Sequence, residues 1–169
     1  MNTARTHIRP LQFEDFDEII SMYHEPDSNK YIQPLEGKSD AFYRAFLSRK
    51  LESNLSTHQF WVARELAENQ LVGTLNLNQF AETNMIHLGC HLSIKYWNQG
   101  FGKELISRII EFGFRERQLE QIFAFIDQRH EVSLKLFHNL GFKHFENRML
   151  GGVDLQILKL QKKQLNTTY

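Results

Sequence analysis

Between residues 96 and 105 the chain reads YWNQGFGKEL, and two glycines one residue apart, Gly100 and Gly102, separate a strand-like run from a helix-like one. Glycine has no Cβ, so the N–H groups around such a pair can turn toward a ligand, and the following helix adds the positive end of its dipole. Strand, glycine turn and helix in that order make an anion site. Two phosphate motifs are excluded by the letters. A P-loop needs glycine at 97 and Ser or Thr at 104, where Trp97 and Glu104 stand. The dinucleotide fingerprint needs glycine at 105, which is Leu105. An isolated glycine pair can also serve only as a tight strand-to-helix connection, so its neighbours decide what it does.

Those neighbours alternate in period. THIRPL reads as a strand, and Phe16, Ile19, Ile20 and Tyr23 fall at helical spacing within 14–23. The stretch 25–38 holds two of the three prolines and reads as a long surface loop, the kind of segment that often carries binding residues. Ser39 or Asp40 can cap a second helix running to about Ser53. FWVARE and LVGTLNLN follow as two strands joined at 67–69, and MIHLGCHLSI, 85–94, is a third that feeds the glycine turn. Leu105, Ile106, Ile109 and Ile110 make one face of a helix, with Glu104–Arg108 and Glu111–Arg115 pairs on the other. QIFAFI is a buried strand, and Val132–Leu140 a helix closed by Gly141 at C′ with Phe142 as its apolar partner. KHFEN and VDLQILKL are the last strands, around Gly151 and Gly152.

Composition narrows the partners. At 169 residues and 41% hydrophobic the chain is expected to form one domain over 1–161, with a polar tail at 162–169. Lys+Arg and Asp+Glu number 20 each, which leaves no basic stripe for nucleic acid and no polybasic patch for a membrane. Cys90 is the only cysteine, which excludes an internal disulfide and a cysteine zinc cluster and reads as a small buried residue. The N-terminus lacks the apolar core of a signal peptide, and nowhere do about eighteen apolar residues run together, so a cytoplasmic protein is expected.

The strand, the W-x-x-G-x-G turn and its helix, followed by a strand, a short helix and L-G-F, resemble the GNAT acyltransferase superfamily. The resemblance is closest to its ribosomal-protein (Rim-type) branch of amine N-acetyltransferases, and it spans nearly the whole chain. Its most specific segments are HLSIKYWNQGFGKEL and DQRHEVSLKLFHNLGF. It implies an α+β fold: a mixed, mostly antiparallel sheet of six to seven strands, splayed at its centre and flanked by about four helices. It implies acetyl-CoA as co-substrate and no metal, with the diphosphate on the backbone amides of Gln99, Gly100, Phe101, Gly102, Lys103 and Glu104. Leu92, Ser93 and Ile94 are expected to pair with the pantetheine arm, and the Leu92 N–H to stabilise the oxyanion of the tetrahedral intermediate. His130, Ser133 and Phe137 are expected coenzyme contacts.

The chain departs from the family pattern in ways that bear on catalysis. Trp97 stands where Gln or Arg is general, although tryptophan is common there in this branch. Phe137 occupies the place of the tyrosine acid, and Phe125 that of a strand glutamate used as base in some relatives, so both roles are unassigned. His130 stands where asparagine is general. His87 and His91 have the neutral-pH character of a base, and on a regular strand they share a face about 13 Å apart at about 3.3 Å per residue, too far to clamp one metal. A glutamate often stands near position 87 in relatives, which makes His87 the first choice as general base. Glu25, Asp27, Glu36 and Tyr31 on the early loop either attract a cationic amine or are simply solvated.

The leading expectation is direct acetyl transfer from acetyl-CoA to a primary amine, a protein N-terminus or a small molecule, by a monomer or homodimer. Polyamine or aminoglycoside acetylation is the second reading. A non-catalytic acyl-CoA sensor is the third, kept because of Phe125 and Phe137.

Overall fold

The computed structural model describes residues 1–32, 35–57, 59–80 and 83–162, so part of the long loop and the tail from 163 lie outside the described residues. Among the described residues seven strands form one sheet: β1 (Thr6–Pro10), β2 (Phe60–Glu65), β3 (Leu71–Gln79), β4 (Ile86–Leu92), β5 (Gln121–Asp127), β6 (Lys143–Leu150) and β7 (Val153–Gln161). Their order is β1-β2-β3-β4-β5-β7-β6. The helices are α1 (Phe16–Tyr23), α2 (Asp40–Thr57), α3 (Phe101–Glu111) and α4 (Glu131–Asn139). This is the expected mixed sheet with four helices. By its internal contacts the chain divides into two compact units, Met1–Asn76 with Cys90–Leu105 and Leu77–Gly89 with Ile106–Tyr169.

In the first unit the apolar face of α1, with Phe16, Ile19 and Tyr23, closes one core with Tyr43 and Leu47 of α2 and with Phe60 and Val62 of β2. The helix expected from Glu14 opens as a 3-10 turn, Phe13–Asp15, and α2 runs four residues beyond the expected Ser53. A fully buried carboxylate organises this core. Asp15 accepts both guanidinium nitrogens of Arg9 at 2.7 Å, Nη2 of Arg64 at 2.8 Å and the Gln12 N–H at 2.9 Å. Burial works to raise its pKa, but the bonds from Arg9, Arg64 and Gln12 outweigh burial and hold it below the usual carboxylate range.

In the second unit β5 and β7 run antiparallel in continuous register from Gln121↔Gln161 to Asp127↔Leu155. β6 and β7 form a hairpin whose two-residue turn, Gly151 and Gly152, has both φ positive. α4 ends as expected: Phe142 N–H bonds the Phe137 carbonyl and Gly141 N–H that of His138, with the Phe137 and Phe142 rings edge to face at 5.0 Å. β4 and β5 lie parallel and share a single registered pair, His87↔Phe123. That short register is the expected splay at the centre of the sheet.

The third strand of the sequence reading stops earlier than expected. Ser93 N–H still bonds Val72 on β3, but Ile94–Tyr96 coil into a 3-10 turn. Ser93 and Ile94 therefore lie beyond β4.

Replacing Asp15 with Asn leaves Arg9 and Arg64 without their shared counter-charge in a buried site. The cost expected is about 3–5 kcal/mol, read as a lower urea midpoint at unchanged slope. Because the folded-state pKa is depressed, this stabilisation is in place above the ordinary carboxyl range and is lost as pH falls through the folded value.

Candidate functional site

The turn that opens α3 is built to leave amides open. Trp97 N–H closes the preceding 3-10 turn on the Ile94 carbonyl, and Asn98 and Gly100 then take left-handed conformations, φ +57° and +82°. Phe101 anchors the helix start, buried and edge-on to Tyr96 at 5.0 Å. The first amide of the turn to find a helical acceptor is Glu104, bonded to the Gly100 carbonyl at 3.1 Å. Among the described residues, the N–H groups of Gln99 through Lys103 have no protein acceptor. Five successive open donors at a helix N-terminus make a strong anion site. A Cβ on Gly100 would meet only Arg5 Nη2, at 3.6 Å, so space is ample there and the backbone sign is what requires glycine.

Just upstream, the edge of β4 is dressed by side chains. The Trp97 indole N–H donates to the Leu92 carbonyl at 3.0 Å. Ser93 N–H points toward β3, so by strand alternation the Leu92 N–H faces the opposite edge. The Ser93 hydroxyl donates to Glu25 Oε1 at 2.8 Å and the Ile94 N–H to Glu25 Oε2 at 2.7 Å. Half-buried Glu25 thus caps the turn after β4. Of the three residues expected along the pantetheine arm, Ser93 and Ile94 thus have their N–H groups bonded within the protein, to Val72 and Glu25.

His87 and His91 sit in different surroundings. In the first unit, His91 is buried, stacked on Tyr23 at 5.1 Å between ring centroids, with Nε2 2.7 Å from the Ser28 hydroxyl. Burial pushes its pKa down to about 4, against a smaller upward pull from Ser28. It is a structural residue. In the second unit, half-buried His87 has Nδ1 3.0 Å from the Asn78 carbonyl. A carbonyl can only accept, so Nδ1 carries the proton and Nε2 the basic lone pair. The edge of its ring meets Phe80 at 5.4 Å and Phe125 at 5.8 Å, and those two rings stack on each other at 4.0 Å. Phe125, where some relatives carry a base, is therefore an apolar wall.

Also in the second unit, His130 is the residue before α4, its N–H on the Asp127 carbonyl at 2.8 Å and its carbonyl accepting from Leu134 N–H. Burial lowers its pKa, partly offset by the Asp127 charge. Ser133 stands partly exposed on the first turn of α4, whereas Phe137 is only 5% exposed and packs on Phe142. In the first unit, burial pushes the Cys90 thiol up to about 12, which removes it as a nucleophile.

The first unit also holds a cleft of about 380 Å³ at the end of α1, lined by residues that include Tyr23, Asn29, Glu36, Lys38 and Tyr43. Sequence reasoning missed Arg5 and Ser28. Arg5 meets residues of the turn 94 and 99 positions away, and Ser28 meets His91 across 63, so no local pattern could announce either.

The family model described as an acetyltransferase (GNAT) domain matches residues 5–143, and the chain belongs to that family. Its members use acetyl-CoA, and relatives named as N-acetyltransferases support N-acetyltransferase activity here. One is the N-acetyltransferase p20 of Bacillus licheniformis, itself uncharacterized, 25% identical over 83% of this chain and 80% of that protein. Among solved structures, a GNAT-family acetyltransferase from Bacillus anthracis superposes with TM-score 0.83 at 20% identity, covering 96% of this chain and 98% of that one. Spermidine N-acetyltransferase from Vibrio cholerae, in complex with CoA and spermine, has TM-score 0.78 at 15% identity and covers 96% and 98%.

The burial of His91 predicts a pH signature. Its folded pKa lies below the unfolded value, so between about pH 6.5 and 4 the unfolded chain takes up a proton that the folded chain does not. Stability is expected to fall as pH drops through that window, by at most about 3 kcal/mol. In His91→Gln that part of the slope should vanish in denaturant melts run from pH 7 to 4.5.

Proposed function

We propose that this enzyme moves the acetyl group of acetyl-CoA directly to a primary amine, with the coenzyme diphosphate on the open N–H groups of Gln99 through Lys103. The observation that carries the reading is that run of unpaired amides at the start of α3. Leu92 supplies the N–H for the oxyanion, and His130, Ser133 and Phe137 keep their proposed roles as coenzyme contacts, together with Ser93 and Ile94. The amine nitrogen attacks the thioester carbonyl, the oxyanion collapses, and the C–S bond breaks to release the thiolate. His87 Nε2, directly or through water, takes the proton that the attacking nitrogen loses.

The acceptor we favour is an amine that ionises easily. An α-amine, pKa about 8, needs less help than a lysine, about 10.4, and a lone imidazole base suits the former. A protein N-terminus or a small amine fits this. The polyamine reading draws on the spermine bound to the Vibrio cholerae neighbour and on Glu36 in the cleft at the end of α1.

Purified protein with acetyl-CoA and a panel of N-terminal peptides, polyamines and amino acids should release free thiol with at least one acceptor. Coenzyme binding without thiol release from any of them points to the sensor instead. Gly100→Val forces a β-branched residue to positive φ in the turn, and coenzyme affinity should fall more than about tenfold by titration calorimetry. His87→Gln should depress kcat most at low pH, where amine deprotonation limits, and an unchanged pH profile removes His87 as base.

A further inference from the structure

The diphosphate turn contains an apparent contradiction. Glu104 stands in the first turn of α3, where a carboxylate complements the helix dipole but opposes any second anion drawn to the same amides. Among the described residues its guanidinium partner is Arg5, from the segment before β1. Arg5 donates Nε to Glu104 Oε2 at 2.7 Å, its own backbone N–H to Oε1 at 3.0 Å, and Nη1 to the Gln99 carbonyl at 3.1 Å. Its guanidinium carbon lies 3.8 Å over the Phe101 ring centre. One side chain thus touches three residues of the turn, all within the first unit.

We propose that Arg5 is a positioning residue for coenzyme binding: it cancels the Glu104 charge and draws the Gln99 carbonyl to itself, so that the turn presents donors and no net negative charge. The inference rests on the coenzyme reading above. Burial alone would raise the Glu104 pKa, but hydrogen bonds from Thr3 and Arg5 outweigh it, so the carboxylate stays ionised and its charge must be met. Stability is a poor alternative explanation for the contact. The Arg5 side chain is 42% exposed and that of Glu104 19%, so solvent screening limits what the pair adds to folding.

The test is a double-mutant cycle on the full chain, with coenzyme A titrated by calorimetry and a thermal melt of each variant. Arg5→Met keeps the stem over Phe101 and removes the charge, and it should weaken coenzyme A binding roughly tenfold. Adding Glu104→Gln removes the carboxylate that Arg5→Met leaves uncompensated and should recover affinity to within about twofold of the wild type. Acetyl-pantetheine, which has no diphosphate, should not distinguish the variants, and Arg5→Lys should retain most of the affinity. A double variant as weak as Arg5→Met, or an Arg5→Met that binds normally, overturns the inference and leaves the coenzyme reading standing. No association between wild type and coenzyme A overturns both.

Discussion

The first N–H groups of a helix have no carbonyl of a preceding turn to bond, and at the start of α3 that open run extends back to Gln99. The cause lies in how β4 is held. On one side β3 approaches closely: Gly73 faces the His91 carbonyl so tightly that any Cβ there would collide with it. On the other side β4 shares a single parallel pair with β5. When the chain leaves β4 it cannot continue a ladder, and it coils through a 3-10 turn and two left-handed residues before α3 begins. A helix entered in this way has no upstream carbonyls placed for its first amides. The open donors of Gln99 through Lys103 therefore follow from topology as much as from glycine content.

Equal numbers of acids and bases leave no net charge, but they do not make charge idle. Four carboxylates each accept a backbone N–H: Asp15 from Gln12, Glu25 from Ile94, Glu104 from Arg5 and Asp127 from Arg129. Asp15, Glu104 and Asp127 each accept a guanidinium as well. Local pairing of this kind fixes the places where strand becomes turn. At the start of α3 the Glu104 carboxylate is likewise met by Arg5.

Short-range periodicity was enough to read the strands, the helices, the Gly141–Phe142 helix stop and the Gly151–Gly152 hairpin, because each is decided by residues a few positions apart. The glycine turn was legible for the same reason. What escaped the sequence was long-range: Glu25 holding Ser93 and Ile94, Ser28 holding His91, and Arg5 holding the turn. The expected strand over 85–94 was too long because alternation of apolar residues continues past Leu92, whereas the cap from Glu25 that ends it comes from 68 positions earlier. Acidic residues on a long loop look solvated until a partner from another element is in place.

The two histidines of β4 show how burial separates identical side chains. Four positions apart on one strand, they offered the same chemistry to a reader of the sequence. His91 is enclosed by Tyr23 and Ser28, stays neutral down to about pH 4, and has no use for a proton at neutral pH. His87 is half-buried, its tautomer set by the Asn78 carbonyl and its ring orientation by the stacked pair of Phe80 and Phe125. Phe125 places an apolar ring where some relatives have an acid, so a proton leaving the acceptor amine has no carboxylate at that position. The Asn78 carbonyl on Nδ1 makes Nε2 the nitrogen at which the proposed base acts. This gives the proposed base its direction.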